Sequence, residues 1–290
     1  MDDFKKLDIY KFFLEAKRTA TKATNYFEAY EELLSKYRNK KIIVVEIGVK
    51  WGGSLHMWKN YFGNESRIIG VDFHSDVKKL EKEGFEIYIG DQSSKLFWKE
   101  FFDKVGKVDV IIDDGGHTNE NQIITLNCCL PNINNGGILI TEDVGASYSS
   151  KFDNPQKYSF INYCKFLIDD INSRIEKDDI SQSIVKKKSL KKNIYSIKFF
   201  TGMVAFFVER LKNQVTHPVL NRESLETDII KENFVNPRWS SFKNKRFINT
   251  KLILYIQKMF IFKNIINLYR KYNIYIKKQK IRKRLKEYFK

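Results

Sequence analysis

Ile42-Ile-Val-Val-Glu46-Ile-Gly48-Val-Lys-Trp-Gly52-Gly53-Ser54 reads as a buried strand that breaks on glycine and resumes as a helix. A short, near-continuous run of Ile and Val suits a strand covered on both faces. The glycines then let the chain turn tightly and bring its backbone close to a ligand. The pattern is not the G-x-G-x-x-G of dinucleotide enzymes, and a glycine turn alone discriminates little.

Outward from this stretch the same alternation repeats. Strand-like runs cover Arg67 to Asp72, Phe85 to Gly90, Val108 to Asp114 and Ile138 to Glu142. Helix-like segments lie between them at Ser54 to Tyr61, Val77 to Glu83, Ser94 to Val105 and Asn119 to Leu130. Such a series predicts an α/β fold: a doubly wound, Rossmann-like, mostly parallel sheet. Upstream, residues 3 to 37 predict one or two amphipathic helices, with Tyr26, Phe27, Tyr30, Leu33 and Leu34 at helical spacing, packed over the ligand edge of the sheet. Downstream, Tyr158 to Ile175 predicts a helix and Asp178 to Lys192 a polar excursion. Ile194 to Phe200 and Met203 to Glu209 predict an antiparallel hairpin around Thr201-Gly202. The expected organisation is an N-terminal helical cap (1–40), a ligand-binding α/β domain (41–212) and a basic helical C-terminal extension (213–290).

The 290 residues, 42% hydrophobic and 30% charged with only four prolines, exclude a largely disordered or collagen-like chain. Cys128, Cys129 and Cys164 form no C-x-x-C pair, so neither a disulfide framework nor a zinc knuckle is expected. Neither a secretory signal nor a spanning segment is legible, and the expected location is cytoplasmic, with peripheral contact at the inner face of the membrane through the tail. Residues 251–290 hold 13 Lys and Arg against one acid, leaving 39 basic and 34 acidic residues for the other 250. The net charge of +17 is therefore mostly a property of the tail.

In an open parallel sheet, ligands bind beyond the carboxyl ends of the strands, and here those ends are acidic or glycine. Asp72 can take both hydroxyls of a ribose, with a helix N-cap as its rival role. Gly90-Asp91-Gln92 suits an adenine edge. A nucleoside without a polyphosphate fits acidic strand ends, which would repel phosphates. The runs Val108-Asp109-Val-Ile-Ile-Asp113-Asp114-Gly115-Gly116-His117 and Gly136-Gly137-Ile-Leu-Ile-Thr141-Glu142-Asp143 would lie on adjacent strands. Asp114, Glu142 and Asp143 then make an all-oxygen cluster for a hard cation such as Mg²⁺. His117, on the turn, places a base beside that Lewis acid.

At these residues the sequence resembles the class I S-adenosylmethionine-dependent methyltransferases. More narrowly, it is similar to the metal-dependent sugar O-methyltransferases that act on macrolide-attached, nucleotide-linked or capsular sugars. The resemblance spans roughly residues 20–210, and Asp113-Asp114-Gly-Gly-His117 followed by Glu142-Asp143 is its most specific element. It implies that Glu46 and Gly48 sit by the methionine part of S-adenosylmethionine, with Gly52, Ser54 and Asp113 in the same cofactor site. Asp72 would take the ribose, and Asp91 and Gln92 would lie near the adenine. Asp114, Glu142 and Asp143 would bind Mg²⁺, and His117 would act as general base toward a small-molecule sugar substrate, as in surface polysaccharide or natural-product biosynthesis.

Plainer readings stand beside these. The three acids are otherwise solvated strand ends, and Tyr26 and Tyr30 are packing residues. Cys128-Cys129 is inert core, and His56, His74 and His217 are surface or packing groups. The tail lies on an anionic bilayer, packs on its own domain or on a second subunit as a homo-oligomer, or touches RNA. A nucleic-acid partner is disfavoured. The competing functions are an RNA methyltransferase, a catechol-type O-methyltransferase and a binding module without turnover.

Overall fold

The computed structural model describes residues 3–152, 158–172 and 190–212, together with 268, 269, 271–273, 275 and 276. The chain divides into two compact units, Met1–His217 and Pro218–Lys290, and the expected cap falls within the first. In the second unit the described residues are helical, with Leu268, Tyr269, Tyr272 and Tyr275 exposed. The remainder of the basic extension, the excursion from 178 to 189, the last three residues of the helix expected to reach Ile175, and His217 lie outside the described residues. Among the described residues no helix is long and apolar enough to cross a membrane.

Seven strands form one sheet: β1 (Ile43–Ile47), β2 (Arg67–Asp72), β3 (Glu86–Ile89), β4 (Val108–Asp113), β5 (Ile133–Thr141), β6 (Ile194–Phe200) and β7 (Met203–Val208). Their order is β3-β2-β1-β4-β5-β7-β6. The first five run parallel and the last pair antiparallel, as expected for the doubly wound sheet with its terminal hairpin. Strand order reverses between β1 and β4, which is where such sheets open a ligand crevice.

Alternate residues of each strand feed opposite cores. Val44, Val110, Ile112, Ile138 and Ile140 face a layer built from α2 (Tyr26–Leu34) and α3 (Gly53–Phe62), whose Tyr30, Leu33, Leu34 and Trp58 are buried there. Val45, Ile47, Ile111 and Leu139 face Trp98 and Phe101 of α4 (Lys95–Val105), Leu126 of α5 (Asn119–Cys129) and Phe160 of α6 (Phe160–Asn172). Ser94 and Thr118 cap α4 and α5 by accepting from the N–H groups of Phe97 and Asn121, which offsets helix-start donors left without a partner in the helix. A short α1 (Asp8–Leu14) packs against α3.

Two expectations shift. The segment around Val77 to Glu83 is a 3₁₀ stretch, Ser75–Glu83, in which only Val77 and Leu80 are buried; their spacing of three is the period at which a 3₁₀ helix stacks its side chains. β5 starts at Ile133, five residues before the expected Ile138, because Ile133 already pairs with Val108 and the register shift that follows is absorbed before Val110 pairs with Ile138. Asn134-Asn135-Gly136-Gly137 forms this irregular part of the strand.

The segment between α1 and α2 crosses the start of α3 as a strap without regular structure from Ala16 to Ala23. A Cβ on Gly53 would lie 2.3 Å from the Thr19 carbonyl oxygen and 2.4 Å from that of Arg18. Arg18 Nε donates to Glu83 Oε1 at 2.8 Å, and His56 Nε2 lies 2.9 Å from Glu83 Oε2. His56, expected to stand apart from carboxylates, thus has one across the turn. The hydrogen bonds from Arg18 and His56 hold the Glu83 carboxyl down at about 2.

Gly48, at φ +88°, lies against the end of β4; a Cβ there would sit 2.2 Å from the Asp114 carbonyl oxygen. Its lack of a side chain makes room for neighbouring backbone. Gly48→Ala is therefore expected to lose about 3 kcal/mol or more in denaturant unfolding, since both the left-handed backbone and the contact oppose it. Glu83, with its folded pKa depressed, contributes stability that is present above its ordinary value of 4.5 and lost as pH falls toward about 2. The gap in denaturation midpoint between wild type and Glu83→Gln should accordingly be full at pH 6 and shrink steadily across that window.

Candidate active site

The register of the central strands builds the site. Asp113 lies opposite Thr141 in the parallel β4–β5 pair, so Asp114 and Glu142 leave the sheet side by side, and the Glu142 N–H donates to the Asp113 carbonyl at 2.8 Å. On the other side of β4, Ile47 of β1 pairs with Asp113 and Glu46 comes in beneath. Asp114 and Glu142, expected to meet from neighbouring strands, lie side by side at the ends of β4 and β5.

Lys22, carried by the strap, reaches into their midst. Its side chain is 2% exposed. The ammonium donates to Asp114 Oδ2 at 2.7 Å and to Glu142 Oε2 and Oε1 at 2.9 and 3.1 Å, and lies 3.9 Å from Glu46 Oε1. Burial opposes its charge, yet Glu142, Asp114 and Glu46 together hold its pKa above the ordinary lysine value. For Glu142 the same balance comes out the other way: burial raises it and Lys22 only partly offsets this. Nothing in the run Thr-Ala-Thr-Lys22-Ala-Thr marks this lysine. The one available signal was indirect, in that acids placed inside a fold require a cation.

Tyr26 and Tyr30, read from spacing as packing residues, are core residues that also hold the acids. The Tyr30 hydroxyl donates to Glu142 Oε1. The Tyr26 hydroxyl donates to Asp143 Oδ1 at 2.7 Å and lies 3.2 Å from the Asp143 N–H. Burial, then the adjacent carboxylate, raises the pKa of each phenol, so both remain proton donors. The backbone is left-handed at His117 (φ +56°) and Asp143 (φ +52°), a conformation that costs a non-glycine residue of the order of 1–3 kcal/mol and clusters at functional sites.

These constraints turn His117 toward the acids. Its Nε2 is 3.5 Å from Asp143 Oδ2 and 3.8 Å from Asp114 Oδ1. One ligand atom from each of Asp114, His117 and Asp143 falls within 4.8 Å of the others. Glu142 is outside that group because its oxygens face Lys22 and Tyr30. Asp114 therefore links two halves of the site, with Oδ2 on Lys22 and Oδ1 toward His117. The His117 Nδ1 is buried and has no hydrogen-bond partner among the described residues.

The residues expected to hold a cofactor are mostly engaged with neighbouring protein groups. Glu46 is completely buried and accepts from Ser54 Oγ at 2.7 Å and Trp58 Nε1 at 2.9 Å; burial lifts it to about 7. Asp72 Oδ2 accepts from the N–H groups of Val49 and Lys50, and Oδ1 from that of His74, fixing the glycine turn. Gly52 opens α3 at φ +88° over Leu80. Asp91 is exposed and accepts from Ser93. Gln92 donates to Asp113 Oδ1 and Thr125 Oγ1 while accepting from the Gly116 N–H at 2.7 Å. Asp113 is buried, its Oδ2 has no partner among the described residues, and burial pushes it up to about 7.

No protein-family model matches the chain. It is 30% identical over 158 residues, 51% of this chain and 41% of the relative, to an 8-demethyl-8-alpha-L-rhamnosyl tetracenomycin-C 2'-O-methyltransferase of Streptomyces olivaceus. Identity is 29% over 196 residues, 63% of this chain and 47% of the relative, with a mycinamicin VI 2''-O-methyltransferase of Micromonospora griseorubida. The chain thus spans less than half the length of these curated relatives. Among solved structures, the MycE methyltransferase of the mycinamycin biosynthetic pathway, in complex with Mg and SAH, superposes with a TM-score of 0.63. The sequences are 23% identical, and the match covers 75% of this chain and 58% of that one, a likeness of fold. The chain thus shares its fold with a methyltransferase of known structure, and over about half of its length its sequence is similar to O-methyltransferases of sugar-bearing natural products.

Proposed function

We propose that this chain is an S-adenosylmethionine-dependent, Mg²⁺-assisted O-methyltransferase that acts on a sugar hydroxyl. The observation that carries the reading is the meeting of Asp114 Oδ1, Asp143 Oδ2 and His117 Nε2 at the ends of β4 and β5. Carboxylate oxygens with a single imidazole suit a hard divalent cation better than zinc or a soft metal. The sugar-specific relatives support the acceptor class.

When bound, the sulfonium supplies an electrophilic methyl group and the divalent ion lowers the proton affinity of a hydroxyl beside it. Asp114, Glu142 and Asp143 would hold the ion, and the glycine turn with Asp72 would seat the nucleoside. His117 Nε2 removes the acceptor's proton. Asp143 Oδ2 and Asp114 Oδ1 then stabilise the imidazolium that results, being 3.5 and 3.8 Å away. Left-handed backbone at His117 and Asp143 fixes both side chains before the acceptor arrives, so little reorganisation accompanies proton transfer. Tyr26 and Tyr30 keep Asp143 and Glu142 oriented.

The same geometry admits His117 Nε2 as a ligand, since it is grouped with Asp114 and Asp143. One variant separates the readings. With His117 as base, His117→Ala lowers turnover roughly 10²- to 10⁴-fold while Mn²⁺ affinity, followed by electron paramagnetic resonance, stays within twofold; a tenfold loss of affinity would make it a ligand. Chelation should abolish methyl transfer in a tritiated-donor screen of sugars, catechols and RNA, with Mg²⁺ restoring it for sugars alone. Full activity in excess chelator, or transfer only to catechol or RNA, would reject the proposal.

A further inference from the structure

The site already contains a cation. Lys22 donates to Asp114 Oδ2 and to both oxygens of Glu142, two of the three acids expected to bind the divalent ion, and its side chain is 2% exposed. We propose that Lys22 is a built-in competitor of the metal, whose ammonium holds the acids in the metal-free protein and leaves the cluster when the ion enters. This rests on the metal-assisted reading above.

Three observations carry it. First, the oxygens are shared: a Mg²⁺ ion held by Asp114 and Glu142 at its usual oxygen distance of about 2.1 Å would lie within a few ångströms of an ammonium bonded to the same two groups. Like charges that close oppose one another strongly in a site shielded from water. Second, the remaining oxygens show what half a site looks like. Asp114 Oδ1 and Asp143 Oδ2 face His117, while Glu142 is turned to Lys22 and Tyr30. Release of Lys22 frees Glu142 to complete the set, and the Tyr30 hydroxyl still holds one of its oxygens. Third, Lys22 is carried by a segment that belongs to no helix or strand. From Ala16 to Ala23 the strap has no regular structure, and it is pinned by Arg18 on Glu83 and by Asn25 on the Thr201 carbonyl at its two ends. The Arg18 and Thr19 carbonyls lie directly on Gly53 at the opening of α3.

Two measurements test this. Mn²⁺ titration followed by electron paramagnetic resonance should show Lys22→Met binding the ion at least tenfold more tightly than wild type. Because that variant leaves buried acids without their cation and can lose its fold, the second measurement uses the wild-type chain. Acylation of lysines by an amine-reactive reagent, read peptide by peptide by mass spectrometry, should find Lys22 protected without metal and at least tenfold more reactive in saturating Mg²⁺, with Lys99 as an exposed control. Equal or weaker Mn²⁺ binding by folded Lys22→Met, or Lys22 acylation that Mg²⁺ does not change, overturns the competitor while leaving the metal-assisted enzyme intact. Failure of both proteins to bind Mn²⁺ removes the metal reading and this inference with it.

Discussion

Carboxyl groups buried side by side need a cation, hydrogen-bond donors or a proton to offset their charge, and the end of this sheet buries several. Glu46, Asp113 and Glu142 are each 2% exposed or less, and Asp114 is close by. Removing such groups from water costs several kcal/mol apiece unless they are paired and hydrogen-bonded. Lys22, Tyr30, Trp58, Ser54 and Gln92 supply the pairing. The sheet's register, the docking of α2 and the course of the strap are therefore linked, because each delivers one of those partners. Loosening any of them would leave an acid without its partner.

Such a cluster is poor at adding stability and well suited to function. A well-packed apolar set would serve the fold as well or better, whereas acids kept close together attract and orient whatever cation enters. Both Lys22 and Glu142 are shifted upward, Lys22 by the acids around it and Glu142 by its burial, which Lys22 only partly offsets. Asp143, with a side chain 51% exposed, opens this buried charge to solvent, and His117 stands at that opening.

The sheet was legible in the sequence because its strands are nearly pure Ile and Val runs that end in Asp, Glu or Gly, and such runs in parallel sheets admit few alternatives. Adjacency of Asp114 and Glu142 followed from the same pattern, since β4 and β5 are successive strands of one winding. What was not legible depends on tertiary contact. Lys22 belongs to a polar segment without periodicity, and its burial arises only once α1 and α2 dock on α3. Glu83, beside Arg18 and His56, shows the same limit: its neighbours are 65 and 27 residues away, and no local spacing connects them. Gln92 was matched to an adenine edge by position, yet its amide spans Asp113, Thr125 and Gly116, a role set by the neighbouring strand end.

Tyr26 and Tyr30 show why a choice between core and site can mislead. A tyrosine can bury its ring and still donate from its hydroxyl, and both residues do so, their rings packed in the layer beneath α2 and their oxygens on Asp143 and Glu142. The Tyr26 hydroxyl also lies 3.0 Å from the Gly202 carbonyl, in the turn between β6 and β7, while Asn25 donates to the Thr201 carbonyl. The helical segment before the sheet and the hairpin after it thus meet on the acid next to His117. The N-terminal helices are accordingly part of the site's framework: the energy that packs the aromatic stripe of α2 into the core is the same energy that holds Asp143 and Glu142 in position for chemistry.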